Sequence, residues 1–231
     1  MTLKQMFCNL RHPAFDVCYQ EIFSALLKGG TLHIVPEAIK RDVPQLFAFI
    51  NKHQTNIVFL PTAFIKMIFS ERELANSFPD GVKHLIAAGE QLMISDLFQD
   101  VLRERGIHLH NHYGPSETHV VSTYTIHPGD PIPELPPIGK PIGCTDLYIL
   151  NHQKQLQPCG VPGELYISGA SVARGYVNHD KLTSDKFSSD PFKPDVIMYR
   201  TGDLARRLED GNIEYIGRAD NQVKIRGYRI E

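Results

Sequence analysis

The chain has 231 residues, 42% of them hydrophobic, and its 24 Lys and Arg against 26 Asp and Glu leave a formal net charge of -2. That length allows one large domain, or a medium domain with a small second one, and the apolar content is adequate for a proper core. Mixed charge near neutrality gives no electrostatic case for nucleic acid or an anionic membrane as partner. Cys8, Cys18, Cys144 and Cys159 lie far apart without a CxxC pair. In a chain this long they point to reduced thiols and a cytoplasmic location, not to a disulfide scaffold. No stretch near Met1 resembles a signal peptide, and no apolar run approaches membrane-spanning length.

Up to residue 126 strand and helix patterns alternate. Tyr19 to Lys28 places Ile22, Phe23, Leu26 and Leu27 on one helical face and stops at Gly29-Gly30. Thr31 to Val35 reads as a strand. Asp42 suits an N-cap and Pro44 a first turn, with Leu46, Phe47 and Ile50 as the apolar stripe behind them. Asn56 to Leu60 is again a strand, closed by Pro61, and Thr62 to Phe69 is helical. Lys83 to Ala88 forms the next strand, ending at Gly89-Glu90. Ser95 caps a helix to Arg105, with Leu97, Phe98, Val101 and Leu102 inward. Apolar strands alternating with helices predict a largely parallel, helix-covered sheet.

Gly106 to Val121, GIHLHNHYGPSETHVV, then reads as a strand, a sharp polar turn and a second extended run. His108, His110 and His112 have strand periodicity. Gly114-Pro115 must end the strand, because proline donates nothing to a ladder and glycine permits the turn. Ser116, Glu117 and Thr118 follow, two hydroxyls and a carboxylate at a strand end, where an α/β protein meets its ligand. A hydroxyl there suits a phosphate oxygen, and a carboxylate suits a magnesium ion bridging phosphates. The alternate histidines have no cysteine or spaced acidic partners to complete a metal site of their own.

From His127 to Pro141 six prolines (128, 131, 133, 136, 137 and 141) predict a linker or wrapping loop without regular structure. Beyond it Asp146 to Leu150, Glu164 to Ser168, Asn212 to Ile216 and Gln222 to Ile225 read as short strands. They are separated by the turn pairs Cys159-Gly160, Pro162-Gly163 and Asp210-Gly211. The expected organisation is an α/β subdomain over 1–126, a β-rich, barrel-like subdomain over 127–217, and a hinge with the start of a further lobe over 218–231.

Six segments carry the reading further: FDVCYQEIFSALLKGG (15–30), LIAAGEQL (85–92), NHYGPSET (111–118), GELYISGASVARGY (163–176), YRTGDL (199–204) and GRADNQVKIRGYRIE (217–231). In wording, order and spacing they resemble the adenylation domains of nonribosomal peptide synthetases, members of the adenylate-forming superfamily with acyl-CoA synthetases and luciferases. The resemblance implies a ligase-class reaction in two steps. An amino-acid carboxylate attacks the α-phosphate of ATP, giving an aminoacyl-adenylate and pyrophosphate. The acyl group then passes to the phosphopantetheine thiol of a carrier protein. Such catalysis is mainly positioning and charge neutralisation around phosphoryl oxygens.

By the same resemblance, Asn111 would hydrogen-bond adenine, Tyr113 would stack on it, and Gly89 and Glu90 would flank it. Ser116 would contact phosphate and Glu117 would hold Mg2+. Asp203 would accept both ribose hydroxyls, a task suited to its two acceptor oxygens. Tyr215 and Arg218 would complete the nucleotide pocket, and Asp220 falls at the hinge. Asp203 also reads as a plain turn residue after Gly202. The residues matching the family's amino-acid pocket are Asp16, Val17, Gln20, Phe59, Ile86, Ala88, His112, Val120 and Val121. Asp16 would pair with the substrate ammonium, which disfavours an acyl-CoA synthetase. With no second charge and with branched or aromatic walls, pocket chemistry leaves alanine, valine and proline open. The combination resembles that of proline-activating domains and implies L-proline or a ring-modified relative.

The resemblance also places a Ser/Thr/Gly-rich phosphate loop upstream of Phe15 and a lobe with an adenylation lysine beyond the hinge. Neither lies within these 231 residues. The expectation is an internal piece of an adenylation domain, to be completed by N- and C-terminal parts and not competent alone. The alternative is a non-catalytic remnant or binding fragment of such a domain.

Overall fold

Capped helices alternating with apolar strands build the first half of the chain. The computed structural model describes residues 16–219 in full and the backbone of the strands at 6–9, 223–225 and 228–230. Asp220 lies outside the described residues. Two compact units result, Met1–Asn111 with Thr125–Pro136 and His112–Tyr124 with Pro137–Glu231.

In the first unit the elements are β1 (Met6–Asn9), α1 (Val17–Leu26), β2 (Thr31–Ile34), α2 (Val43–Lys52), β3 (Ile57–Pro61), α3 (Thr62–Ile68), α4 (Arg72–Asn76), β4 (His84–Ala88), α5 (Asp96–Arg105) and β5 (His108–Tyr113), whose last two residues fall in the second unit. β1 pairs in parallel with β2 and β3, and β3 with β4. The strand order β2-β1-β3-β4-β5 continues to β6 (Ser122–Ile126). The Asp42 carboxylate accepts from the Gln45 amide at 3.0 Å and Pro44 occupies the first turn of α2. The Ser95 hydroxyl accepts from the Phe98 amide at 3.3 Å, and Gly106 closes α5 in the left-handed conformation at φ 59°, ψ 48°. Each of these devices satisfies backbone groups that a helix end would otherwise leave open. Leu46, Phe47 and Ile50 of α2 and Phe98, Val101 and Leu102 of α5 are buried, each side chain contributing roughly 1.5–3 kcal/mol of transfer free energy.

α1 departs from expectation. Its buried residues are Cys18, Glu21 and Ala25, while Phe23, Leu26 and Leu27 are 55%, 57% and 79% exposed. Ala25 faces inward and packs against Ile57, Phe59 and Ile86 of β3 and β4. Tyr19 and Ile34 are exposed as well.

The second unit is antiparallel. After β7 (Lys140–Pro141) come β8 (Thr145–Leu150), β9 (Gly163–Gly169), α6 (Asp180–Lys186), β10 (Phe187–Ser189), β11 (Ile197–Arg207) and β12 (Ile213–Arg218), with β13 (Val223–Ile225) and β14 (Tyr228–Ile230) as a separate pair. The order is β10-β11-β9-β8, with β12 beside β11. Its core joins Val121, Ile138, Leu147, Leu165, Ile167, Tyr199 and Ile213. The fold class is the expected one, a helix-covered, mainly parallel sheet followed by a curled antiparallel half-barrel.

Two local expectations need correction. The proline-rich stretch is not wholly irregular, because Lys140 and Pro141 pair with Thr123 and Ser122 of β6. Asp203 is not a turn residue but lies within the eleven-residue strand β11. The strand absorbs Gly202 (φ 75°) as an irregularity, since the register against β9 slips between Arg200 and Leu204. No helix among the described residues is long and apolar enough to cross a membrane.

Candidate functional site

The polar turn after β5 is built by close backbone approach. A Cβ on Gly114 would lie 1.8 Å from the His119 carbonyl oxygen, so only glycine fits. His119 itself takes a positive φ of 56°. Thr118, 1% exposed, donates from its hydroxyl to the Pro115 and His119 carbonyls at 3.4 and 3.2 Å. The Val121 amide returns to the Tyr113 carbonyl at 2.8 Å, closing the loop. Ser116 is left exposed at the tip and Glu117 half-buried beside it.

Glu117 is held from a distant part of the same unit. The Ala173 amide donates to its carbonyl at 2.9 Å, and the Tyr176 hydroxyl donates to its Oε1 at 2.6 Å. Tyr199, 1% exposed, sits beside both groups. Burial first, then Tyr176 and Glu117, push its phenol far above the ordinary range.

A second cluster forms around Asp203, which is 7% exposed. β12 places Arg218 directly opposite Asp203 on β11. The Arg218 guanidinium donates to Asp203 Oδ1 and to the Thr201 carbonyl, each at 2.9 Å. The Tyr113 hydroxyl donates to Asp203 Oδ2, and the Asp203 amide donates to the Thr201 hydroxyl at 2.9 Å. Burial, reinforced by the Asp203 charge, raises the Tyr113 pKa well above its usual value. Tyr215 packs on the core of the same unit. The second unit therefore brings Tyr113, Asp203 and Arg218 together and holds Ser116 and Glu117 on one turn.

The other sequence-selected residues fall as follows. In the first unit Phe59 and Ile86 are buried in one cluster with Val17 packed against it. Asp16 accepts from the Val17 amide at 2.9 Å and so caps α1, a structural task alongside any role with a ligand. Gln20 lies on α1 and is half-buried; Ala88 ends β4. Gly89 follows at φ 115°, and the Glu90 carbonyl accepts from the Thr62 hydroxyl at 3.2 Å. Asn111 is buried near the end of β5. In the second unit Val120 and Val121 are 8% and 0% exposed, with Val121 in the half-barrel core. Sequence reasoning missed Tyr176, Tyr199 and Thr201, although each lies in one of the six motif segments; Tyr176 meets Glu117 from 59 residues away.

His112 gives a pH test. Burial, and secondarily His119, lower its pKa from 6.5 to about 4, so the imidazole is neutral near pH 7. Because the unfolded chain takes up this proton first, the contribution to stability is complete above pH 6.5 and is lost as pH falls from 6.5 through about 4. The difference corresponds to about 3 kcal/mol at most. His112→Gln should flatten the dependence of unfolding free energy on pH across that window, measured by urea titration. His84 and His33, whose pKa values are also lowered by burial, should contribute to the slope that remains.

Known proteins share this sequence and this geometry. The family model described as AMP-binding enzyme matches residues 4–177. The chain is 99% identical over 219 residues to a plipastatin synthase polypeptide of Bacillus subtilis (strain 168), covering 95% of this chain and 6% of that protein. It is 61% identical over 218 residues to gramicidin S synthase 2 of Brevibacillus brevis, covering 94% of this chain and 5% of the relative. An artificially fused adenylation–PCP di-domain from Klebsiella oxytoca superposes with a TM-score of 0.83 at 28% identity, over 98% of this chain and 42% of that one.

Proposed function

This chain belongs to the AMP-binding enzyme family, and we propose that it contributes amino-acid activation to a nonribosomal peptide synthetase in the cytoplasm. The observation that carries the proposal is one antiparallel unit presenting a buried carboxylate, Asp203, among Tyr113 and Arg218, together with a turn bearing Ser116 and Glu117. A nucleoside triphosphate needs these groups: acceptors for ribose hydroxyls, an aromatic ring for the base, and a hydroxyl and a carboxylate for metal-bridged phosphates.

In this reading Asp203 receives the ribose hydroxyls, with Arg218 fixing its carboxylate and Tyr215 beside it. Tyr113 offers its ring to adenine, with Asn111, Gly89 and Glu90 as the base's polar neighbours. Ser116 donates to a phosphate oxygen. Glu117 supplies hard carboxylate oxygens, the donor type that would hold Mg2+ together with substrate phosphates. Mg2+, when bound, neutralises charge on the phosphoryl oxygens. A substrate carboxylate oxygen bonds to the α-phosphorus as its bond to the pyrophosphate oxygen breaks. Transfer to a phosphopantetheine thiol then forms a thioester and releases AMP, which makes a carrier protein the partner. The likeness to an adenylation–PCP fusion supports that partner.

For substrate we propose L-proline or a ring-modified relative. Support comes from the residue set Asp16, Val17, Gln20, Phe59, Ile86, Ala88, His112, Val120 and Val121. Asp16 supplies the single charge for an ammonium, and His112 is neutral near pH 7. A charged side chain would find no countercharge, at a cost of several kcal/mol. A rigid ring loses little rotamer freedom on binding among branched walls. The test is amino-acid-dependent exchange of label between pyrophosphate and ATP by the full-length protein, with proline compared against valine, alanine and phenylalanine.

A further inference from the structure

The hydrogen bond from Tyr176 to Glu117 joins residues 59 positions apart, and the surroundings of Tyr176 are arranged to fix its hydroxyl. Its amide donates to the Thr183 hydroxyl at 2.9 Å, and that hydroxyl lies 3.4 Å from the Tyr176 carbonyl. Gly175, at φ 133°, brings the two segments together; a Cβ there would lie 2.5 Å from Thr183 Cγ2. The Tyr176 ring meets Phe187 edge-on with centroids 5.5 Å apart, and Phe187 in turn packs on Tyr199 at 5.0 Å. The hydroxyl thus comes from a ring locked between a hydrogen-bonded backbone and an aromatic stack. Glu117 stands on a turn whose neighbour Ser116 is exposed, and its side chain has several rotatable bonds. Ordering such a side chain costs up to about 2 kcal/mol of rotamer entropy.

We propose that Tyr176 is a positioning residue that orients the Glu117 carboxylate for a divalent cation carried by the nucleotide, with Thr183 holding Tyr176 in place. This rests on Glu117 being the metal-holding carboxylate of the proposed function. A group that hydrogen-bonds a metal-ligating carboxylate sets its direction, and losing such a partner typically weakens metal affinity 10- to 100-fold. The Ala173 amide pins the Glu117 backbone, whereas the Tyr176 hydroxyl acts on the carboxylate itself. Tyr176→Phe removes one oxygen and keeps the ring packing.

The experiment measures binding of Mn2+ with α,β-methylene-ATP to the full-length protein by electron paramagnetic resonance, alongside binding of the same nucleotide in EDTA. Tyr176→Phe should weaken the Mn2+-nucleotide complex about tenfold or more and leave metal-free nucleotide binding within about twofold. Glu117→Gln should weaken it at least as much, and the double variant no further than Glu117→Gln alone, because the two act as one unit. If Tyr176→Phe folds poorly, Thr183→Val should show a smaller loss confined to the metal-dependent arm. A lowered melting temperature with unchanged Mn2+ affinity in Tyr176→Phe, while Glu117→Gln loses it, would overturn the positioning role alone. Unchanged Mn2+ affinity in Glu117→Gln would overturn the reading of Glu117 and this inference with it.

Discussion

Replacing Asp203 by alanine is expected to destabilise the chain by about 3 kcal/mol and to abolish measurable nucleotide binding. The side chains of Asp203 and Arg218 are only 10% and 21% exposed, and the carboxylate accepts from both the Arg218 guanidinium and the Tyr113 hydroxyl. Truncation leaves a mostly buried cation and a half-buried phenol without this acceptor, and breaking one side of such a pair costs roughly 3–5 kcal/mol when burial is complete. Arg218 keeps its bond to the Thr201 carbonyl at 2.9 Å, which places the expected loss at the lower end. For a chain of this size that is a fall of roughly 6–12 °C in melting temperature. Asp203→Asn preserves the shape and should retain more than half of that stability. It should still lose nucleotide affinity, since an amide offers one acceptor oxygen where the carboxylate offers two. Calorimetry and nucleotide titration of the same samples check both halves.

Gly114→Ala is expected to be nearly as damaging to stability and more selective in its effect on chemistry. The added methyl would sit 1.8 Å from the His119 carbonyl oxygen and 2.7 Å from Val120 Cα, both of them backbone. No side-chain rotation relieves such a contact, so the turn from Gly114 to Val121 must move. The cost should be about 3 kcal/mol, at the upper end of overpacking substitutions. Because the same turn carries Ser116 and Glu117, a displacement of about 1 Å should lower the activation rate about 100-fold. Pyrophosphate exchange rates and urea unfolding of the variant measure the two effects separately. Loss of stability without a matching loss of rate would mean that the turn does not carry the chemistry.

Much of this architecture was legible in the chain because its signals are local. Asp42, Ser95 and Gly106 terminate their helices where their chemistry says they should, and the apolar strands of the first unit read directly as strands. What failed to read were balances between distant groups. The apolar stripe of α1 faces outward because Cys18, Glu21 and Ala25, smaller or polar, take the inner side; periodicity alone ranks hydrophobicity and cannot weigh fit. β11 was hidden because Arg200, Thr201, Gly202 and Asp203 have turn composition, and only pairing with β9 and β12 makes them strand. In the site, the Tyr113–Asp203 and Tyr176–Glu117 contacts join positions 90 and 59 residues apart, beyond the reach of spacing rules. The segments around each partner were readable; their pairings were products of the fold.

The proposed role of this chain is activation of an amino acid by ATP, with proline as the proposed acyl group. Exchange of labelled pyrophosphate into ATP by the full-length protein tests it most directly, because only reversible adenylate formation returns the label. The expected result is exchange that requires an amino acid, runs at least tenfold faster in specificity with L-proline than with valine, alanine or phenylalanine, and disappears in Glu117→Ala. A preference for a methylated proline would refine the substrate within the same class. A tenfold preference for valine, alanine or phenylalanine would contradict the substrate assignment, and absence of exchange with every amino acid would contradict activation itself and leave a non-catalytic remnant.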